Sequence, residues 1–286
     1  MGKPLANLSE VSDTMLITLY ARAHETLSAN PIIHDPKAVE IIEHFKKELK
    51  GSKNPIHQKI LTNSYPPKLG VSMALRSRRF DRYVKDWMIL NPCGTVVNFG
   101  CGLDTRFDRL DNGQLHWYDI DFPSVIALRR RFITENQRHR FIERSILDPL
   151  WMNEVGKNAP FLFLAEGVFM YLQEEQVKDL LSMIKGKFPG SELVCEVTNS
   201  YWVKKMSSRW MQWKFKHQLG MQKRASFSFG VPDGHYFHSW DEDYQFLDEW
   251  TYFDDKEKKF GLYNLMSHID LLRKVQWTLH YRIGKS

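Results

Sequence analysis

Apolar positions in the first ninety residues recur at helical spacing. In LSEVSDTMLITLYARAHETL, Val11, Met15, Leu19 and Ala23 fall about four apart. Asp35-Pro36 pairs an N-cap acid with a proline at the first helical position, and KAVEIIEHFKKELK then sets Val39, Ile42 and Phe45 on one face. Residues 63–70, which include Pro66-Pro67, are expected to form a loop. Residues 71–90 are helical again, marked by Met73, Phe80, Val84 and Met88.

From Gly94 the period changes, and short apolar runs alternate with amphipathic stretches. VVNFG (96–100), LHWYDID (115–121), HRFIERS (139–145), FLFLAEGV (161–168) and ELVCEVT (192–198) are predicted strands. Residues 123–136 form a predicted helix opened by Pro123. Residues 174–188 form another, with Val177, Leu180, Leu181 and Ile184 on one stripe. Strands alternating with helices indicate a parallel sheet covered on both faces, and the right-handed crossover rule leaves a doubly wound arrangement. Residues 200–240 break the alternation with dense Trp, Phe, Met, Lys and Arg, as expected of an insertion over the sheet edge. FLDEWTYF (246–253) and VQWTLHYRI (275–283) are candidates to close the sheet as an antiparallel pair. The expected organisation is one compact domain. Residues 1–90 form a helical cap and 91–286 the core, with 200–240 as a lid over the substrate.

Composition narrows this only a little. The 286 residues are 43% hydrophobic and 26% charged, as in an ordinary globular chain with one large domain. The net charge of +6 suits an acidic partner and equally an enzyme without one. Three cysteines, Cys93, Cys101 and Cys195, form neither a disulfide framework nor a zinc spacing, so a reducing cytoplasm and no metal are expected. MGKPLANLSE has no apolar signal core, and Ala6 fails the myristoylation pattern. No apolar run approaches the roughly 18 residues of a membrane span, so no membrane partner is expected.

The chemistry concentrates where VVNFGCGLDTR ends an apolar strand in two glycines. In open α/β sheets ligands sit at the carboxyl ends of strands, and glycine permits φ > 0 and close ligand approach. Gly100 and Gly102 therefore predict a bound ligand there. A dinucleotide fingerprint wants a third glycine, but Thr105 stands in its place, between Asp104 and Arg106. An acid beside a pyrophosphate is unfavourable. S-adenosylmethionine carries both charge signs and no phosphate, and it fits the loop better. About 20 residues on, YDIDFP offers Asp119 or Asp121 to accept from ribose hydroxyls. Glu166, after the run FLFL, points into the same cleft.

These residues carry a resemblance. TMLITLYARA, HDPKA (34–38), RSRRFD (76–81), VVNFGCGLDTRFDRL, YDIDFP and LAEGVFMYL (164–172) resemble, in order, motifs of the leucine carboxyl methyltransferase-like group. That group includes the O-methyltransferases of tetracenomycin-type polyketide biosynthesis. The resemblance runs from about Ser12 to Trp277 and is weak over 200–240. It implies a class I S-adenosylmethionine-dependent methyltransferase with a Rossmann-like, mostly parallel seven-stranded sheet. Gly100, Cys101, Gly102, Asp104 and Arg106 would belong to the cofactor loop. Asp121, followed by Phe122, would hold the ribose. Glu166, beside Gly167, would face the methionine ammonium, and Arg76 and Arg22 its carboxylate. Ser145 and Ile146 would flank the adenine, where members of the group often carry an acid.

The expected activity is O-methylation of a carboxyl or hydroxyl group on a small molecule, with an anionic or aromatic acceptor. The alternatives are methylation of a protein C-terminus and cofactor binding without catalysis. Acceptor-side candidates are Tyr171, His235 and His238, the last two in DGHYFHSW. The basic and aromatic residues from Lys204 to Arg224 fit an amphipathic lid better than a nucleic-acid surface.

Overall fold

The computed structural model describes residues 10–158, 160–206 and 227–285. Among them, seven strands form one sheet in the order β3-β2-β1-β4-β5-β7-β6. The strands are β1 (Thr95–Phe99), β2 (His116–Asp121), β3 (His139–Glu143), β4 (Phe161–Ala165), β5 (Ser191–Thr198), β6 (Tyr244–Thr251) and β7 (Gln276–Ile283). β1 to β5 are parallel, and β7 runs antiparallel to both neighbours. The expected sheet is therefore present, mixed rather than wholly parallel, and its last two strands pair as anticipated. β1 and β4 are buried at every position, as strands covered on both faces must be. The strand order reverses between β1 and β4, which makes the ends of these two strands the natural crevice of the fold.

The cap consists of α1 (Glu10–Thr26), α2 (Pro36–Glu48), α3 (Pro55–Leu61) and α4 (Pro67–Leu90). Asp35 caps α2 as its sequence predicts: one carboxylate oxygen accepts from the Ala38 amide at 3.0 Å. Leu16, Leu19, Ile42 and Phe45 of α1 and α2 pack with Cys101 and Leu103, so the cap rests directly on the glycine turn. On one face of the sheet, Phe80, Val84 and Trp87 of α4 meet Val96 and Leu162. On the other, α8 (Glu174–Lys187) buries Val177, Leu180, Leu181 and Ile184 against Val97 and Phe163.

Several boundaries differ from expectation. α4 begins at Pro67, inside the expected loop, because a proline at the first helical position loses no hydrogen bond. α3 was not anticipated, although Asn54 caps it and Pro55 opens it by the same logic as Asp35-Pro36. The helix expected over 123–136 is α6 (Pro123–Arg129) and stops early, and a one-turn α7 (Trp151–Glu154) follows β3. The glycine turn runs into a one-turn helix, α5 (Arg106–Leu110). Within 200–240, α9 (Ser200–Met206) begins the insertion, and Phe229, Val231 and Phe237 belong to the largest core cluster. The remainder of the Lys204–Arg224 stretch, from 207 on, lies outside the described residues. No helix among the described residues is long and apolar enough to cross a membrane.

Asp119 is the polar exception inside β2. It is fully buried and accepts from Arg129 at 2.5 Å, His139 at 2.6 Å, Asn98 at 2.9 Å and the Trp117 indole at 3.0 Å. Burial alone would raise its pKa, but Arg129 and His139 outweigh that and hold it well below the usual carboxylate range. A folded-state pKa below the unfolded one adds stability above about pH 4, and the gain disappears as pH falls further. Asp119→Asn should thus cost about 3 kcal/mol at pH 7 in urea unfolding. The gap from wild type should close progressively below about pH 4.

Candidate active site

A cavity of about 890 Å³ opens at the carboxyl ends of β1, β2, β3 and β4, roofed by α1 and α4. Its floor is the glycine turn. Gly100 and Gly102 have φ of +58° and +48°, the left-handed region that glycine supplies without strain. A Cβ on Gly100 would come within 2.7 Å of Val168, and one on Gly102 within 3.0 Å of Met15 on α1. The glycines thus permit the turn and also let α1 close down on it. Cys101, between them, is buried, and that burial pushes its thiol well up from the usual range, so it stays protonated.

Asp121 and Asp119 are now distinct. Asp119 is spent on Arg129 and His139. Asp121 lines the cavity at the end of β2, its carboxylate held by the amides of Gly102 at 2.9 Å and Phe122 at 2.8 Å. Burial raises its pKa above the usual carboxylate value despite those two donors.

Glu166 lines the opposite wall, just past β4. One oxygen accepts from Arg76 Nε at 2.8 Å and the other from Arg106 Nη2 at 2.5 Å. Burial opposes its ionisation, but the Arg106 and Arg76 guanidinia hold its pKa well below the ordinary glutamate value. Arg76 also faces the cavity and gives a second nitrogen to Glu196, at 2.9 Å. Arg106 does not line the cavity. It stands behind Glu166, bonded to Asp81 at 2.7 Å and to Asp104. Arg22 reaches the wall from α1, anchored on Asp35 at 2.9 Å and on the Leu103 carbonyl at 2.8 Å.

The remaining expected cofactor residues, Asp104, Phe122, Ser145, Ile146 and Gly167, also line the cavity, as does Tyr171. His235 and His238 do not. The His235 ring packs 4.4 Å from Phe246, and His238 Nδ1 donates to the Tyr244 carbonyl at 3.0 Å. Other lining residues escaped the sequence reading. Asn98 bridges Asp104 and Asp119 at 3.2 and 2.9 Å, and a lone amide within an apolar strand was a usable signal. Thr18, Met73, Met170, Phe227, Ser228 and Gln276 come from five separate places in the chain and share no local signal. Among the described residues no group of three or more His, Cys, Asp or Glu side chains converges to hold a metal.

Strands in the order β3-β2-β1-β4-β5-β7-β6 with β7 reversed, a glycine turn after β1 and acids closing β2 and following β4 are the arrangement expected of a class I methyltransferase. A crystal structure of a DUF574 family protein from Streptomyces avermitilis shares the fold, with a TM-score of 0.55, 12% identity and coverage of 84% of this chain and 95% of its own. The leucine carboxyl methyltransferase family model matches residues 15–185, more than half of the chain. The chain belongs to that family and is an S-adenosylmethionine-dependent methyltransferase. The tetracenomycin polyketide synthesis O-methyltransferase TcmP of Streptomyces glaucescens is 26% identical over 255 residues, covering 89% of this chain and 87% of the relative. The S-adenosyl-L-methionine-dependent methyltransferase dpfgK of Gibberella zeae is 29% identical over 207 residues, covering 69% and 68%.

The donor set fits the cofactor. Two carboxylates, Asp121 and Glu166, and a turn without side chains face one cavity, which suits a ligand that carries a diol and an ammonium. Ribose hydroxyls donate better to a carboxylate than to a carboxylic acid. Because burial holds the Asp121 pKa above the usual aspartate value, affinity for S-adenosylhomocysteine should begin to fall on acidification at a higher pH than an ordinary aspartate would give. Asp121→Asn should weaken binding about tenfold at pH 7 and flatten that pH dependence, read by calorimetry.

Proposed function

We propose that this chain methylates an oxygen, carboxyl or hydroxyl, on a small acceptor with an apolar or aromatic body. The supporting observation is the apolar part of the cavity lining. Leu69, Met73, Met170, Tyr171 and Phe227 form it, and the neutral amide of Gln276 also lines the cavity. The guanidinia that reach the cavity are each paired with a carboxylate, so the lining offers an acceptor little uncompensated charge. Arg22 pairs with Asp35, Arg76 with Glu166 and Glu196, and Arg144 with Asp148 and Glu154. Such a wall suits a flat apolar molecule better than a multiply charged one. Transfer by TcmP, named for an O-methyltransferase, is consistent with this reading.

In this reading Asp121 accepts from the ribose diol, Glu166 receives the ammonium, and Arg76 and Arg22 flank the carboxylate. Ser145 and Ile146 border the adenine. S-adenosylmethionine supplies an electrophilic methyl group on sulfonium. A carboxylate acceptor is already ionised at neutral pH, so the protein needs only to position it and exclude water. A hydroxyl acceptor has to lose its proton. Desolvation raises the Tyr171 hydroxyl above the ordinary tyrosine value, so it acts as a hydrogen-bond donor and not as a base.

The family also supports a second reading, methylation of a protein C-terminus. A panel of aromatic carboxylic acids, phenols and leucine-ending peptides separates the two by release of S-adenosylhomocysteine. Turnover with an aromatic acid or phenol is expected, and base-labile product marks a carboxyl target. Turnover confined to peptides would overturn the small-molecule reading, and any turnover excludes a purely binding role. Tyr171→Phe should lower kcat/KM for the acceptor about tenfold while leaving S-adenosylhomocysteine affinity unchanged.

A further inference from the structure

Glu196 is a charged side chain that the reading above does not use. It sits within β5, fully buried, between the apolar residues Leu193-Val194-Cys195 and Val197. An isolated carboxylate there would be costly, and the structure gives it two partners. Oε2 accepts from Arg76 Nη1 at 2.9 Å, and Oε1 accepts from the Tyr252 hydroxyl at 2.6 Å. Arg76 is therefore held by two carboxylates through two different nitrogens, Nε on Glu166 and Nη1 on Glu196. Glu166, whose other oxygen is held by Arg106, fixes one edge of the guanidinium, and Glu196, within an interior strand, fixes the other.

We propose that Glu196, steadied by Tyr252, is a positioning residue that sets the Arg76 guanidinium and through it the Glu166 carboxylate for the amino-acid end of the cofactor. This rests on the reading that Arg76 and Glu166 receive that end. Glu196 touches no ligand itself. It acts as the outer partners of metal ligands do, by orienting a group that makes the contact. Burial raises the pKa of Glu196 while Arg76 and Tyr252 pull it down, so its charge depends on both partners staying in place. The arrangement also explains the aromatic residue after β6. Tyr252 follows Thr251, the last residue of that strand, and its hydroxyl reaches across β7 to β5.

The test compares two ligands that differ only at the end in question. S-adenosylhomocysteine carries the ammonium and carboxylate, whereas 5′-methylthioadenosine keeps the nucleoside and thioether alone. Both are titrated by calorimetry into wild type, Glu166→Gln, Glu196→Gln and Tyr252→Phe. The proposal expects Glu196→Gln to weaken S-adenosylhomocysteine about tenfold and to leave 5′-methylthioadenosine within about twofold. Tyr252→Phe, which removes one hydroxyl and keeps the ring, should act in the same direction by less. It also serves if Glu196→Gln fails to fold. A structural defect would weaken both ligands together, and that result overturns the proposal. So does unchanged S-adenosylhomocysteine binding in both variants while Glu166→Gln binds it weakly. If Glu166→Gln itself leaves S-adenosylhomocysteine unaffected, the reading of the amino-acid end fails and the proposal fails with it.

Discussion

A continuous run of buried arginine–carboxylate pairs connects the helical cap to the sheet. Arg22 of α1 bonds Asp35, the cap of α2. Asp35 also accepts from Arg109 of α5 at 2.7 Å and from Thr105 at 2.6 Å. Arg109 bonds Asp81 of α4 at 3.0 Å, Asp81 takes Arg106, and Arg106 takes Glu166 beyond β4. Each member, left alone at this depth, would carry a desolvation penalty of several kcal/mol, so each depends on the others. The network contributes less to net stability than to arrangement. It permits one register of α1, α2 and α4 over the strand ends, and that register leaves Asp121 and Glu166 facing a common space.

The glycine turn and the network constrain one another. Gly102 lets Met15 approach, α1 then descends far enough for Arg22 to reach the Leu103 carbonyl, and the same turn gives its amide to Asp121. Thr105, where a dinucleotide site would have a third glycine, uses its hydroxyl on Asp35. The departure from the dinucleotide pattern thus has a structural cause: that position holds the cap. Arg76 has two roles for the same reason. It lines the cavity and joins Glu166 to Glu196, so the cavity wall and the fold geometry meet in one side chain.

The sheet and the glycine-turn side of the cavity were legible because their signals are local. Alternating period gave the strands, Gly100 and Gly102 marked the turn, and Asp35-Pro36 announced α2. The motif YDIDFP already favoured Asp121, and the structure adds that Arg129 and His139, approaching from α6 and β3, occupy Asp119. The apolar lining was illegible, since Met73, Phe227 and Gln276 meet only through the tertiary fold. Glu196 was visible as an acid within a strand, yet only the position of Arg76 gives it a role. Residues 63–70 misled because two prolines signal a loop and a helix start equally well.

If this network holds a preformed site for a sulfur nucleoside, calorimetric titration of the wild-type protein with S-adenosylhomocysteine, and in parallel with NAD, should give one-to-one binding of S-adenosylhomocysteine in about the micromolar range and none of NAD. Absence of S-adenosylhomocysteine binding, or comparable binding of NAD, would contradict such a site.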